Sequence, residues 1–254
     1  MRSYIVFTKK ELIEYGRTYK FFILFTIFIA LGFMNPLTAK FMPKILESFM
    51  PEEIEIQLPP PSSLDSWAQF FKNVTQTGLF VAIIIFSGMM SREYEKGTLV
   101  NMITKGLPRQ TVILSKFTAS TLLWTLSYWT CFVITHIYTM YFWKGETVLE
   151  LATSTLFLYL FGIMLISVLL IGSTLFKNSY GGLLFTGGFI AILFLLKLSH
   201  KINNYNPLQL ANQNINLLSG NLHPSELKSP LFVCCTVIIL SIISSILIFD
   251  KKQI

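Results

Sequence analysis

Residues 151–176 read LATSTLFLYLFGIMLISVLLIGSTLF, with no charged side chain among them. At 1.5 Å per helical residue, about twenty apolar residues cross the roughly 30 Å hydrocarbon layer of a bilayer. A soluble core needs no uncharged run of that length, so this stretch predicts a transmembrane helix. Working outward, comparable runs cover 21–39, 74–90, 111–142, 181–198 and 231–249, giving about six spans. The run at 111–142 exceeds what a bilayer requires and is expected to tilt or to project beyond it. Composition agrees, because 53% of the 254 residues are hydrophobic and 13% charged, against about a quarter charged in globular proteins. The expected fold class is an all-α polytopic membrane protein, 1–254 forming a single transmembrane domain.

Residues 1–20 mix Arg2, Lys9, Lys10, Glu11, Glu14, Arg17 and Lys20 with Ile5, Leu12, Ile13 and Tyr15. That mixture predicts an amphipathic helix lying on the membrane surface. It is too charged and too long for a cleavable signal peptide, so the first span is expected to stay attached. Asn35-Pro36 reads as the end of that span. A polar stretch over 40–72 follows, with Pro59-Pro60-Pro61 favouring a stiff, extended connector. Six spans put both termini on one side. With the termini in the cytoplasm, thirteen Lys and Arg residues fall inside and seven outside, as the positive-inside rule requires. The loop 91–110 is then cytoplasmic.

The net charge of +7 sits beside hydrophobic runs and so reads as topology, not as a nucleic-acid surface. Cys131, Cys234 and Cys235 lie within apolar runs and have no Cys or His partner at metal-ligand spacing. His136 lies in the third span with no carboxylate or Cys predicted beside it, which makes it a packing residue. Lys116 and Lys197 lie near span ends, where long side chains snorkel to the interface. Phosphate-loop, zinc-protease and Ser-hydrolase motifs are missing from the sequence. No catalytic residue, metal site or cofactor is expected in this chain, and energy for any active transport must come from another subunit.

The most informative loop is Ser91-Arg92-Glu93-Tyr94-Glu95-Lys96-Gly97-Thr98-Leu99-Val100-Asn101-Met102-Ile103-Thr104-Lys105-Gly106-Leu107-Pro108-Arg109-Gln110, running on to Lys116. Thr98 suits the cap of a short helix with Leu99, Met102 and Ile103 on its apolar face. Gly106 suits its stop, and Pro108 suits the first turn of the next helix. In Glu93, Glu95, Gly97, Thr98, Leu99, Pro108, Arg109 and Lys116, in that order, the chain resembles the ABC transporter type-2 permeases, the transmembrane subunits of bacterial drug and peptide exporters. The six spans and the amphipathic first segment fit the resemblance as well.

The resemblance implies that 91–110 is a cytoplasmic coupling helix contacting a separate ATPase. Glu93, Glu95, Lys96, Gly97, Thr98 and Arg109 are then the coupling residues. It further implies two cytoplasmic ATPase subunits that bind ATP and Mg, a second permease, the same or homologous, and a bacterial plasma membrane. The second and fifth spans would face that second permease and line the path of a hydrophobic or amphipathic peptide-like cargo. Thr75, Gln76, Thr77 and Ser87 are the path candidates, and Gly181, Gly182, Gly187 and Gly188 permit close helix packing. In the loop 203–220, Leu208, Ala211, Ile215 and Leu218 share a helical face, while Gln209, Asn212 and Asn216 share another. That pattern suits either a helix dipping into the outer leaflet or a solvated, Asn-rich connector, and the resemblance implies short re-entrant helices there. The competing function is a membrane sensor or binding subunit that protects against an antibiotic without moving it.

Overall fold

The computed structural model describes residues 2–49, 60–95, 97, 104, 106–176 and 178–252. For Arg2, residues 44–49, Arg92, Glu95 and His200 it describes the backbone alone. All regular structure among the described residues is helical. Helix α1 (Arg2–Arg17) turns sharply at Tyr19, whose φ of 57° is left-handed, into α2 (Lys20–Phe49). Next, α3 (Ser63–Asn73) runs through a π-helical turn at Val74–Gly78 into α4 (Leu79–Ser87) as one continuous span. A short α5 (Ser91–Glu95) precedes the long α6 (Arg109–Phe142), α7 (Leu151–Leu175) and α8 (Ser179–Leu196). Three short helices follow: α9 (His200–Asn203), α10 (Gln209–Asn212) and α11 (Asn214–Leu218). A 3₁₀ turn at Pro224–Leu227 then leads into α12 (Lys228–Lys251). Six of these stretches are long and apolar enough to cross a membrane. The protein is an all-α, multi-pass membrane protein.

Two spans differ from the sequence reading for physical reasons. The first helix does not stop at Pro36 but continues through it. A proline in a helix leaves the carbonyl four residues earlier without its amide donor. Here that carbonyl is Gly32 O, and the Thr135 hydroxyl of α6 donates to it at 3.2 Å. Asn35 supports the same crossing, donating to Thr135 Oγ1 at 3.1 Å and accepting from Asn73 at 2.8 Å. The second span starts at Ser63, well before Val74. Asp65 accepts from the Ser62 amide and hydroxyl, each at 2.8 Å, and so closes the helix start, while Trp67, Phe70 and Phe71 are buried. The charges of Asp65 and Lys72 had disguised this helix as connector. Of the triple proline, Pro59 lies outside the described residues.

α7 is the most buried of the six spans. It crosses α8 closely because Gly172 and Gly182 meet there: a Cβ on Gly172 would lie 3.1 Å from Gly182 Cα. On the other side of the bundle α2 packs along α6. The segment 203–220 is two short helices broken at Gln213, not one continuous face. Leu208, Leu210, Ala211, Leu217 and Leu218 are buried, and Ile215 is exposed. Asn206 holds the segment down, donating to Leu193 O at 2.8 Å and accepting from Leu208 N at 3.0 Å.

Candidate functional site

Helix α1 buries the stripe Phe7, Glu11 and Tyr15, spaced four apart, and leaves Ile5, Val6 and Ile13 exposed. A carboxylate thus stands in the middle of its protein-facing side. Such a charge is tolerated only when paired. Its partner is Lys116 from the second turn of α6, which donates to Glu11 Oε2 at 3.1 Å. Lys116 also lies 3.2 Å from Glu93 Oε1, which α5 points back toward α1. Lys10 completes the cluster: its ammonium reaches Glu93 at 2.7 Å, Glu14 at 2.8 Å and Glu11 at 2.9 Å. Glu11, Glu93 and Lys116 are 3%, 3% and 1% exposed, so solvent does little to screen them.

Three carboxylates here share the ammoniums of Lys10 and Lys116, and burial and charge move Glu11 and Glu93 in opposite directions. Burial raises Glu11, Glu93 repels its charge, and Lys116 and Lys10 offset this only in part, so its pKa is raised. Burial acts on Glu93 too, but Lys116 and Lys10 both sit against the same oxygen and hold its pKa below the ordinary carboxylate value. For Lys10, burial is outweighed by Glu93, Glu11 and Glu14, and its pKa rises. The carboxylates of Glu11, Glu14 and Glu93 approach closely enough to hold a metal ion. The Lys10 ammonium, donating to all three, already occupies that position.

Of the remaining predicted coupling residues, Arg109 and Gly97 are described in full. Arg109 does not approach Glu93. Its Nη1 faces the carbonyls of Phe249 (2.7 Å), Asp250 (2.9 Å) and Lys252 (2.9 Å) at the end of α12. With two protons for three acceptors, one bond is shared. A cation at a helix C-terminus satisfies the carbonyls the helix leaves open. Lys252 does the same for α7, donating to Thr174 O and Leu175 O at 2.7 and 3.0 Å, with its ammonium 4.6 Å from the Tyr94 ring centroid. Burial pushes the Tyr94 hydroxyl up to about 12, against the pull of Arg109. Gly97 is exposed with φ of 62°, a conformation that suits glycine. Lys96, Thr98 and the apolar face Leu99, Met102 and Ile103 lie outside the described residues, as does the Glu95 side chain.

The path candidates do not form one surface either. Gln76 and Thr77 are exposed on the π-helical turn and Thr75 is half-buried. Ser87 is buried at the far end of the same span, its hydroxyl donating to Ile84 O at 2.7 Å. Sequence reasoning missed Lys10, Glu11 and Glu14 as site residues and took Lys116 for a snorkelling lysine. The structure corrects this: Lys116 is buried and ion-paired. The available signal was the spacing of Phe7, Glu11 and Tyr15, which places a carboxylate on the same helical stripe as two aromatics.

Residues 17–196, more than half of the chain, match the family described as "ABC-2 family transporter protein". The chain belongs to the ABC-2 transporter family. No curated protein matches it. Membership makes this ABC-2 transporter a membrane permease domain that associates with a partner ATPase subunit. The match begins at the end of α1, so Glu93 and Lys116 lie within the matched region while Lys10, Glu11 and Glu14 lie before it.

Proposed function

We propose that this chain is the transmembrane subunit of a bacterial ATP-driven exporter, and that the segment 91–110 receives the stroke of the ATPase. The ion cluster carries this reading. Glu93 belongs to the segment, Glu11 to α1 and Lys116 to the third span, and their charges bind the three into one block at one end of the bundle. A displacement of α5 would therefore reach α1 and the third span without loss in a flexible linker. In this reading α1 lies in the membrane interface, with Ile5, Val6 and Ile13 on its lipid side, and both termini face the cytoplasm.

The cargo class is hydrophobic or amphipathic, such as a peptide, an antibiotic or a lipid-like molecule. Two ATPase subunits and a second permease complete the machine. The exposed Gln76 and Thr77 belong, on this reading, to the face that the second permease covers. The test is a complex reconstituted with a candidate ATPase in liposomes. ATP should drive cargo out of the compartment that holds the ATPase. Glu95→Lys should abolish that movement while leaving insertion in the bilayer intact. Unchanged transport in that variant would overturn the assignment of the segment.

A further inference from the structure

At the end of the bundle opposite the charge cluster, two neighbouring cavities open between the start of α3, the end of α6 and the loop after it. The first, about 230 Å³, is walled by Trp67, His136 and Trp143, with Met140 and Leu151 beside them. The second, about 410 Å³, continues over Leu64, Leu149 and Leu218. Ser63 and Glu146 border both. Among the described residues no lysine or arginine lines either cavity, and Glu146 is the one carboxylate that does.

The carboxylate and the rings are held in place before any ligand arrives. Glu146 Oε2 accepts from the Ser63 amide at 2.7 Å, and a carboxylate keeps further lone pairs for a second donor. The Trp143 indole donates to Pro61 O at 2.6 Å. Trp67 is wedged among Phe70, Phe132 and His136, with ring centroids 5.3 to 6.0 Å away. Fixed rings and a fixed carboxylate lose little freedom on binding. A cation is attracted both to the faces of tryptophan and to a carboxylate. The second cavity offers an apolar strip of Leu64, Val148, Leu149 and Leu218 beside Ser63, Thr147 and Glu146.

We propose that the paired cavities bind an amphiphile with an ammonium head group. Its ammonium group sits beside Glu146 against the half-buried ring of Trp143, and its apolar part lies along Leu64, Leu149 and Leu218. The site stands apart from the exporter reading, since it needs neither ATP nor transport. Two fluorescent probes separate charge from greasiness: trimethylammonium-diphenylhexatriene and neutral diphenylhexatriene. Energy transfer from tryptophan is read on the full chain in dodecyl maltoside.

The cationic probe should bind saturably and the neutral one should not. Glu146→Gln should weaken the cation by about tenfold and leave the neutral probe unchanged. Thr147→Lys, which places a competing ammonium between the two cavities and adds no tryptophan to the readout, should remove saturable binding of the cationic probe and keeps the test decisive where Glu146→Gln fails to fold. Added phosphatidylcholine that displaces the probe assigns the ammonium to a lipid headgroup, and failure to displace it assigns a free amphiphile. Equal binding of both probes, or saturable binding untouched by Thr147→Lys, overturns the site.

Discussion

Glu93 and Lys116 meet at 3.2 Å behind α1, although one lies on the short helix α5 and the other on the third span. Breaking a buried pair by removing one member costs about 3 to 5 kcal/mol, because the surviving charge stays buried. The cluster is asymmetric, however, with three carboxylates for two ammoniums. Lys116→Met should therefore destabilise the detergent-solubilised protein by about 3 kcal/mol. Glu11→Gln should cost far less, since it removes the surplus negative charge. The double variant should recover about 1 to 3 kcal/mol relative to additivity. Thermal or denaturant unfolding of the four proteins measures this, and equal losses for the two single variants would contradict it.

The opposite shifts of Glu11 and Glu93 give the cluster a two-limbed pH response. Glu93, depressed on folding, contributes stability above its unfolded value, and that stability is lost as pH falls through its folded value. Glu11, raised on folding, binds its proton more tightly when folded, so stability is gained as pH falls from its raised value toward its unfolded one. Melting temperature should rise slightly as pH falls toward the ordinary carboxylate range and fall once pH drops below it. Glu11→Gln should flatten the upper limb and Glu93→Gln the lower. Melting curves across that range decide it, and a monotonic profile in the unmodified chain would count against the charge shortage.

The spans were legible because length and apolarity are local properties that neighbours do not alter. Pro36 was misread because the rescue of Gly32 O comes from Thr135, about a hundred residues away. The same holds for the site. Glu93 could be singled out from its own segment, but its partner Lys10 comes from a helix whose buried side had to be known first. Arg109 was singled out from its place in the segment 91–110, and its bonds to the carbonyls of Phe249, Asp250 and Lys252 were hidden because they lie about 140 residues away.

Arg109 should accordingly behave as a clamp on the last helix. Arg109→Ala leaves the final carbonyls of α12 without their cation, and Arg109→Lys, lacking the planar fork, should restore the clamp only in part. Hydrogen exchange over residues 246–252 should accelerate about tenfold or more in Arg109→Ala, matching a loss of about 1.5 to 3 kcal/mol for hydrogen bonds to a charged group. Exchange elsewhere in the bundle should stay unchanged. Acceleration confined to α5 would instead make Arg109 a support of the coupling segment.

Glycines give a test that separates packing inside the chain from packing against a second copy. A Cβ on Gly162 would lie 2.3 Å from the buried indole of Trp124, so Gly162→Ala should overpack the core and cost about 1 to 3 kcal/mol. Gly187 and Gly188 in α8 meet nothing within 4 Å, and their neighbours Leu184, Ile192 and Leu195 are more than half exposed. In an isolated chain Gly188→Ala should be neutral or stabilising by up to about 1 kcal/mol, because alanine is the better helix former. If two permeases meet along α8, small residues are what allow the close approach, and Gly187→Leu and Gly188→Leu should split the pair while the single chain stays folded. Cross-linking in membranes alongside melting temperature reads both effects. A pair that survives both leucines excludes α8 as the shared face.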